Sequence, residues 1–261
     1  MSTTLRRRAS TLLNMGLNRL GYALVKFDGE RSTTRFSTHE GTRYAYEDVH
    51  ITDTLAPWAL DEAFLDVWEK ARHNTLTDIF RAWELYQLVR ESAGAQGDML
   101  EVGVWRGGTG AVIAAAANRW RPASTIWLCD TFEGVVKTGR YDTAYFGGEH
   151  ADASKEDILA LSSRLELANV AVLKGMFPED TAAAIGERRI AFCHVDVDAY
   201  QSALEVVSWV APRMDAGGVM VFDDYGFSTC KGVTRCVDEL RGNGEWLYVH
   251  NLNKHAVLIK R

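Results

Sequence analysis

The chain has 261 residues, of which 47% are apolar, and a formal net charge of −6. That length and apolar fraction suit one large α/β domain or two small ones and exclude a disordered chain, while the acidic balance excludes a dedicated nucleic-acid binder, which carries a basic patch on a basic domain. Small-molecule chemistry is the class that remains, and four cysteines (Cys129, Cys193, Cys230 and Cys236) without a C-x-x-C pair point to reduced, buried thiols.

The N-terminal stretch "LRRRASTLLNMGLNRLGYALVKFD" carries Arg6, Arg7, Arg8, Arg19 and Lys26 with no acidic residue before Asp28, and Leu12, Leu13, Leu17, Leu20 and Leu24 recur at helical spacing. A basic amphipathic helix of this kind, over residues 1–27, either docks on its own domain or makes peripheral contact with an anionic membrane. No apolar run reaches the roughly 18 residues of a membrane span and the start lacks a signal-peptide core, so a cytoplasmic location is expected. Residues 30 to 60 show no sustained period and read as an irregular arm. Its Tyr44, Tyr46 and Trp58 can close over a site, pack on the domain or sit at a homo-oligomer interface.

From Asp78, "DIFRAWELYQLVRE" places Ile79, Trp83, Tyr86 and Val89 on one helical face, with Thr77 or Asp78 as cap and Gly94 as stop. Strands and helices then alternate. Strands are expected at 99–104, 125–130, 170–175, 190–198 and 218–224, and helices at about 108–120, 154–168, 201–212 and 231–241. This alternation predicts a parallel sheet with helices on both faces. The ending differs, because "EWLYVH" and "HAVLIK" are separated only by "NLNK", which predicts a hairpin and an antiparallel last strand.

In open α/β sheets ligands bind at the carboxyl ends of the strands. The first strand runs into "EVGVWRGGTG", with Glu101 and Gly103 at its end and Gly107, Gly108 and Gly110 opening a helix. The dinucleotide fingerprint G-x-G-x-x-G fails, since Ile113 stands where the third glycine belongs. What remains, E-x-G-x-x-x-G, resembles the first motif of S-adenosylmethionine-dependent methyltransferases. Asp130 ends the second strand, where an acidic side chain can accept both hydroxyls of an adenosine ribose or cap the segment that follows.

The strand in "GGVMVFDDYG" stops on two adjacent carboxylates, Asp223 and Asp224. Two such charges about 5 Å apart repel by roughly 3 kcal/mol at an effective dielectric of 20, so a cation, a charged ligand or solvation must compensate them. The preceding strand, in "CHVDVDAY", ends in Asp196 and Asp198, and a right-handed crossover puts the two strand ends side by side. Asp196, Asp223 and Asp224 then form an oxygen ligand set for Mg²⁺ or another hard divalent cation. Asp198 is expected to support them or to cap the helix that follows.

Together "EVGVWRGGTG", "CDTFEG", "LKGMFPEDT", "HVDVDAYQSALEVV" and "GGVMVFDDYG" resemble the macrocin O-methyltransferase family, whose members methylate sugar hydroxyls on natural products, over residues 76 to 260. The resemblance implies a class I methyltransferase, a Rossmann-like seven-stranded sheet with an antiparallel last strand, over residues 76–261, with residues 1–75 as an N-terminal helix and a lid or oligomerisation arm. It implies S-adenosylmethionine over Glu101, Gly103, Trp105, Gly107 and Thr109, beside Asp130, Thr131 and Phe132, with Gly175, Met176 and Phe177 near the adenosine. It also implies metal on Asp196, Asp223 and Asp224. Catechol-type methyltransferases place a lysine base shortly after the first aspartate, but here Val197, Asp198, Ala199 and Tyr200 follow Asp196, so Asp196 or Asp198 must take the proton. His194 reads as a buried, hydrogen-bonded strand residue, and His150 sits in a loop that can face substrate. The acceptor is expected to be a glycoside or free sugar, with no nucleic-acid partner. Two rivals keep a place: a glycosyltransferase using D-x-D, and a non-catalytic binding protein on the same fold.

Overall fold

The protein is described by a computed structural model over residues 35–39, 42–46 and 55–261. The basic helix expected over residues 1–27 and part of the arm after it lie outside the described residues. Within the arm, Arg35–His39 and Thr42–Tyr46 pair as an antiparallel hairpin with His39 opposite Thr42, so the expectation of an irregular segment is corrected. RFSTH and TRYAY are rich in β-branched and aromatic residues, and the two-residue connection ends in glycine, which is hairpin chemistry. The chain divides into two compact units, Met1–His50 and Ile51–Arg261. Trp58 belongs to the second and packs edge-on against Phe80, with ring centroids 4.9 Å apart.

The second unit is built on seven strands: β1 (Asp98–Val102), β2 (Ile126–Asp130), β3 (Val170–Lys174), β4 (Ile190–Val195), β5 (Val219–Phe222), β6 (Trp246–His250) and β7 (Ala256–Lys260). Their order across the sheet is β3-β2-β1-β4-β5-β7-β6, parallel except for β7, which runs antiparallel to both β5 and β6. The chain reverses direction across the sheet between β3 and β4, so the carboxyl ends of β1 and β4 flank the switch point where this architecture opens a crevice. Every residue of β1, β4 and β5 is buried, as expected for parallel strands covered on both faces.

Among the described residues seven helices supply the cover: α1 (Glu62–Ala71), α2 (Ile79–Glu91), α3 (Gly108–Trp120), α4 (Lys155–Arg164), α5 (Ala182–Ile185), α6 (Tyr200–Val210) and α7 (Lys231–Leu240). Side chains alternate across the sheet. Met99, Phe192, Val219 and Val257 join Phe64, Tyr86 and Ile113 in one core, while Leu100, Cys193, Met220 and Leu258 join Val207 and Val237 in the other. Helix α1 adds to the expected elements. Its buried Phe64, Val67, Trp68 and Ala71 follow a helical period, and Asp61 caps it by accepting from the Phe64 amide at 3.0 Å.

The face that α2 buries differs from the sequence expectation. Arg81, Ala82, Leu85, Tyr86 and Val89 are the buried positions, and Ile79 and Trp83 lie only partly covered. A helix turned by this much brings a guanidinium into the core, with consequences for the site. Among the described residues no helix is long and apolar enough to cross a membrane, and all four cysteines are buried free thiols.

The tightest backbone approach in the sheet lies at Gly103, where φ is +85° and a Cβ would fall 1.7 Å from the Asp196 carbonyl oxygen. Gly242 has a similar φ of +91° but open space around it. Gly242→Ala should therefore cost only the strain of its backbone, about 1–3 kcal/mol, and Gly103→Ala distinctly more. Denaturant unfolding of both variants measures the gap, and equal losses would mean that the ends of β1 and β4 part freely.

Candidate active site

The glycine turn after β1 is held open by one carboxylate. Asp130, at the end of β2, accepts through Oδ2 from the amides of Val104 and Trp105 at 2.7 and 2.8 Å, and through Oδ1 from Phe132 at 2.7 Å. Trp105 and Phe132 both sit at positive φ, 49° and 56°. These are conformations a side-chain-bearing residue keeps only when its surroundings impose them. Asp130 thus acts as a clamp on two turns at once. A carboxylate offers about four acceptor positions, so little capacity remains for a ribose unless the amides share it.

A cavity of about 300 Å³ opens at these strand ends. Of the residues expected around the cofactor, Gly103, Trp105, Thr109, Asp130, Thr131, Gly175 and Phe177 line it. Glu101, Gly107, Phe132 and Met176 are not among its lining. Glu101 is fully buried and holds His194 Nδ1 at 2.8 Å, Gly107 lies against Ile158, Phe132 packs on the core, and Met176 is exposed. The segment between Val135 and Ala153 contributes Val135, Val136, Tyr145 and His150 to the wall. It is fastened by Asp152, which accepts from Trp105 Nε1 at 2.8 Å and pairs with Arg106 at 2.6 Å.

Asp196, Asp198, Asp223 and Asp224 also line this cavity. Strand β4 ends at Val195, and Asp198 turns away from the extended path at φ 59°. Asp198 does not cap α6. That role falls to Asp142, whose Oδ1 accepts from the Tyr200 amide at 2.9 Å. Asp198 Oδ1 and Asp224 Oδ2 instead both accept from the Cys230 thiol, at 3.4 and 3.3 Å, and the donor atoms of these three residues lie within 4.8 Å of one another. Burial, with the charges of Asp224 and Asp198 beside it, holds that thiol protonated.

Asp223 turns the other way. It is buried, pairs through Oδ1 with the guanidinium of Arg81, lies 3.6 Å from His255 Nε2, and meets Thr77 Oγ1 at 3.5 Å through Oδ2. Burial would raise its pKa, but the His255 and Arg81 charges outweigh that and hold it below the usual carboxylate range. Its neighbours lack this compensation. Burial, then the charges of Asp223, Asp224 and Asp198, pushes Asp196 well up, and burial with Asp223 and Asp198 raises Asp224 to about 7. Oxygen donors carrying uncompensated negative charge at the end of an open cavity suit a hard divalent cation.

Arg81, Tyr145 and Lys254 take part in this site without having been singled out in the sequence, and Thr77 and Cys230, read there as a cap candidate and a buried thiol, join it too. Arg81 alone left a trace, as a charged residue one position before Ala82 on a helix whose apolar stripe admits a second phase.

The sheet order, the strand-end cavity and the clamped glycine turn define a class I methyltransferase fold, and the solved structure of the O-methyltransferase NovP shares it, with a TM-score of 0.61 and 22% identity over 72% of this chain and 82% of that one. The profile of the macrocin-O-methyltransferase (TylF) family matches residues 74–249, and the chain belongs to that family. It is similar to a tetracenomycin-C rhamnosyl 4'-O-methyltransferase of Streptomyces olivaceus, 28% identical over 58% of this chain and 65% of that enzyme. It is also similar to the demethyldecarbamoylnovobiocin O-methyltransferase of Streptomyces niveus, 29% identical over 66% of this chain and 69% of the relative.

The raised carboxyls set a pH dependence. A carboxyl whose folded pKa exceeds its unfolded value of about 3.9 stabilises the fold fully below that value and loses the contribution as pH rises, for Asp224 through about 7. In chelator the melting temperature should fall between pH 5 and 8. Asp224→Asn should flatten the fall, and Mg²⁺ should reverse it in wild type. Asp223, with its lowered pKa, works oppositely and loses its contribution only on acidification. A chelated protein whose melting temperature holds steady from pH 5 to 8 would mean that these carboxyls are not destabilised by ionisation.

Proposed function

We propose that the protein is an S-adenosylmethionine-dependent O-methyltransferase acting on a sugar hydroxyl of a glycosylated natural product, glycolipid or activated sugar, assisted by Mg²⁺ or another hard divalent cation. The observation that carries this reading is the meeting, in one cavity, of the Asp130-clamped glycine turn with Asp196, Asp198 and Asp224. Family membership and the two O-methyltransferase relatives, one of them named for a rhamnosyl substrate, support the same choice.

S-adenosylmethionine supplies an electrophilic methyl group on a sulfonium. The chain supplies the turn from Gly103 to Thr109, with Asp130, Thr131, Gly175 and Phe177 around the rest of the cofactor. Asp196 and Asp224, with the second oxygen of Asp223, would hold the cation. When bound it provides Lewis acidity that lowers the pKa of an acceptor hydroxyl and fixes its orientation. Asp196 or Asp198 takes the proton. Both stand at the cavity end, and burial among like charges raises the Asp196 pKa, which favours proton uptake there. With cofactor and acceptor bound, the cavity would hold the acceptor oxygen against the methyl donor, and such positioning is worth roughly 7–11 kcal/mol. The wall formed by Val136, Tyr145 and His150 stands where the acceptor sugar must pass.

Asp196→Asn, Asp198→Asn and Asp224→Asn should each lower kcat by at least about 100-fold, the scale of general-base and metal effects, while S-adenosylhomocysteine affinity by calorimetry stays within a few-fold. Asp130→Ala should do the reverse, weakening the cofactor by about 1.5–3 kcal/mol, through the loosened turn as much as through the ribose. Tight binding of a nucleotide-diphosphate sugar with none of S-adenosylhomocysteine would overturn the assignment.

A further inference from the structure

Beneath the cavity floor lies a second group of polar side chains, of which the transfer reaction uses only Asp223. Alternation along the strands puts Glu101, His194, Asp223 and His255 on one face of the sheet, on or just beside β1, β4, β5 and β7, below helix α2. His194 and His255 are fully buried, and their rings meet edge to face at 5.8 Å. Each is held from behind by a carboxylate: His194 Nδ1 by Glu101 Oε1 at 2.8 Å, and His255 Nδ1 by Glu84 Oε2 at 2.6 Å. Glu84 is itself fixed by Asn251 and by Asn253, the latter at 3.1 Å.

A carboxylate accepts, so each Nδ1 directs its proton at the carboxylate behind it and each Nε2 faces away from that partner. Neither Nε2 has a hydrogen-bond partner. Both point at the same place as the Asp223 carboxylate, and the three donor atoms lie within 4.8 Å of one another, with His255 Nε2 3.6 Å from Asp223 Oδ1. Two buried ring nitrogens without partners beside a buried carboxylate call for one ligand that serves all three.

From this geometry we propose that His194 Nε2, His255 Nε2 and Asp223 form a second, buried metal site for a borderline divalent ion such as Zn²⁺ or Co²⁺. Two imidazoles and one carboxylate are the ligand class these ions take, with a carboxylate behind each imidazole to fix its tautomer and raise its basicity. The oxygen donors of Asp196 and Asp224, with the second oxygen of Asp223, are the class for Mg²⁺. A four-coordinate ion needs donors about 3.3–3.4 Å apart, so the His255 and Asp223 spacing is already close and His194 must approach. Arg81 can stay on Asp223, because one carboxylate oxygen has two acceptor positions. The ion neutralises the buried charge and pins Asp223 beneath the carboxylates of the cavity. The site does not depend on which sugar is methylated.

The test uses tag-free full-length protein produced in medium containing Co²⁺ and then dialysed against EDTA, so that exchangeable ions leave. We expect close to one Co²⁺ retained per chain, with the intense visible absorption of four-coordinate cobalt in place of the faint bands of an octahedral oxygen site. His194→Gln or His255→Gln should abolish retention, and Asp198→Asn should keep it. Should the histidine variants fail to fold, ¹⁵N spectra of the imidazoles in the wild-type protein made with Zn²⁺ give the answer, since metal-bound Nε2 differs from bare and from protonated nitrogen. No retained metal, retention that survives loss of both histidines, or Nε2 signals of a protonated or merely water-bridged pair would each overturn the site.

Discussion

Negative charge gathered at one edge of a sheet is the constraint from which the rest of this molecule follows. Five acidic residues, Glu101, Asp130, Asp196, Asp223 and Asp224, stand on or just beyond the ends of four neighbouring strands. Three of them are balanced, each in a different way. Asp130 takes three backbone amides, Glu101 takes an imidazole, and Asp223 takes a guanidinium brought in by α2. Asp196 and Asp224 are left with neighbours of their own sign. Compensating some carboxylates and withholding compensation from others is what distinguishes scaffold from site, because buried charge without a partner is costly unless a ligand supplies one.

This division explains the shape of the surroundings. Arg81 and Glu84 lie one helical turn apart on α2 and serve opposite ends of the same network, one bonding Asp223 and the other His255. Removing one partner of such a buried pair costs about 3–5 kcal/mol, since the remaining charge is stranded. Helix α2 is thereby tied to the strand ends by charge as well as by the apolar contacts of Leu85, Tyr86 and Val89.

Much of this was legible in the chain itself. The alternation of strands and helices, the closing hairpin and the position of the cavity follow from local period and from the rule for strand ends. Asp196, Asp223 and Asp224 were found because each ends an apolar run. What escaped was the choice of partner. Asp223 meets a guanidinium 142 positions earlier in the chain, and the buried phase of α2, which decides that meeting, is set by packing on the sheet and not by the helix's own pattern. Asp198 looked like a cap because aspartate favours that position, but Asp142, 58 positions away, reached the Tyr200 amide. The hairpin at residues 35–46 was missed because strand chemistry there spans only five residues on each side.

The wall between Val135 and Ala153 is pinned at separated points. Lys137 reaches Glu179 and Glu205, Asp142 caps α6 and fits against Gly232, where any Cβ would strike its oxygen, and Asp152 ties down to Trp105 and Arg106. Between Asp142 and Asp152, Tyr145 packs on the core beside Cys230, while Thr143, Ala144, Phe146, Gly147 and Gly148 are exposed. Natural or laboratory exchange of the stretches between Asp142 and Asp152 can therefore re-shape what the cavity admits while the anchors, and with them the reaction geometry, are inherited unchanged.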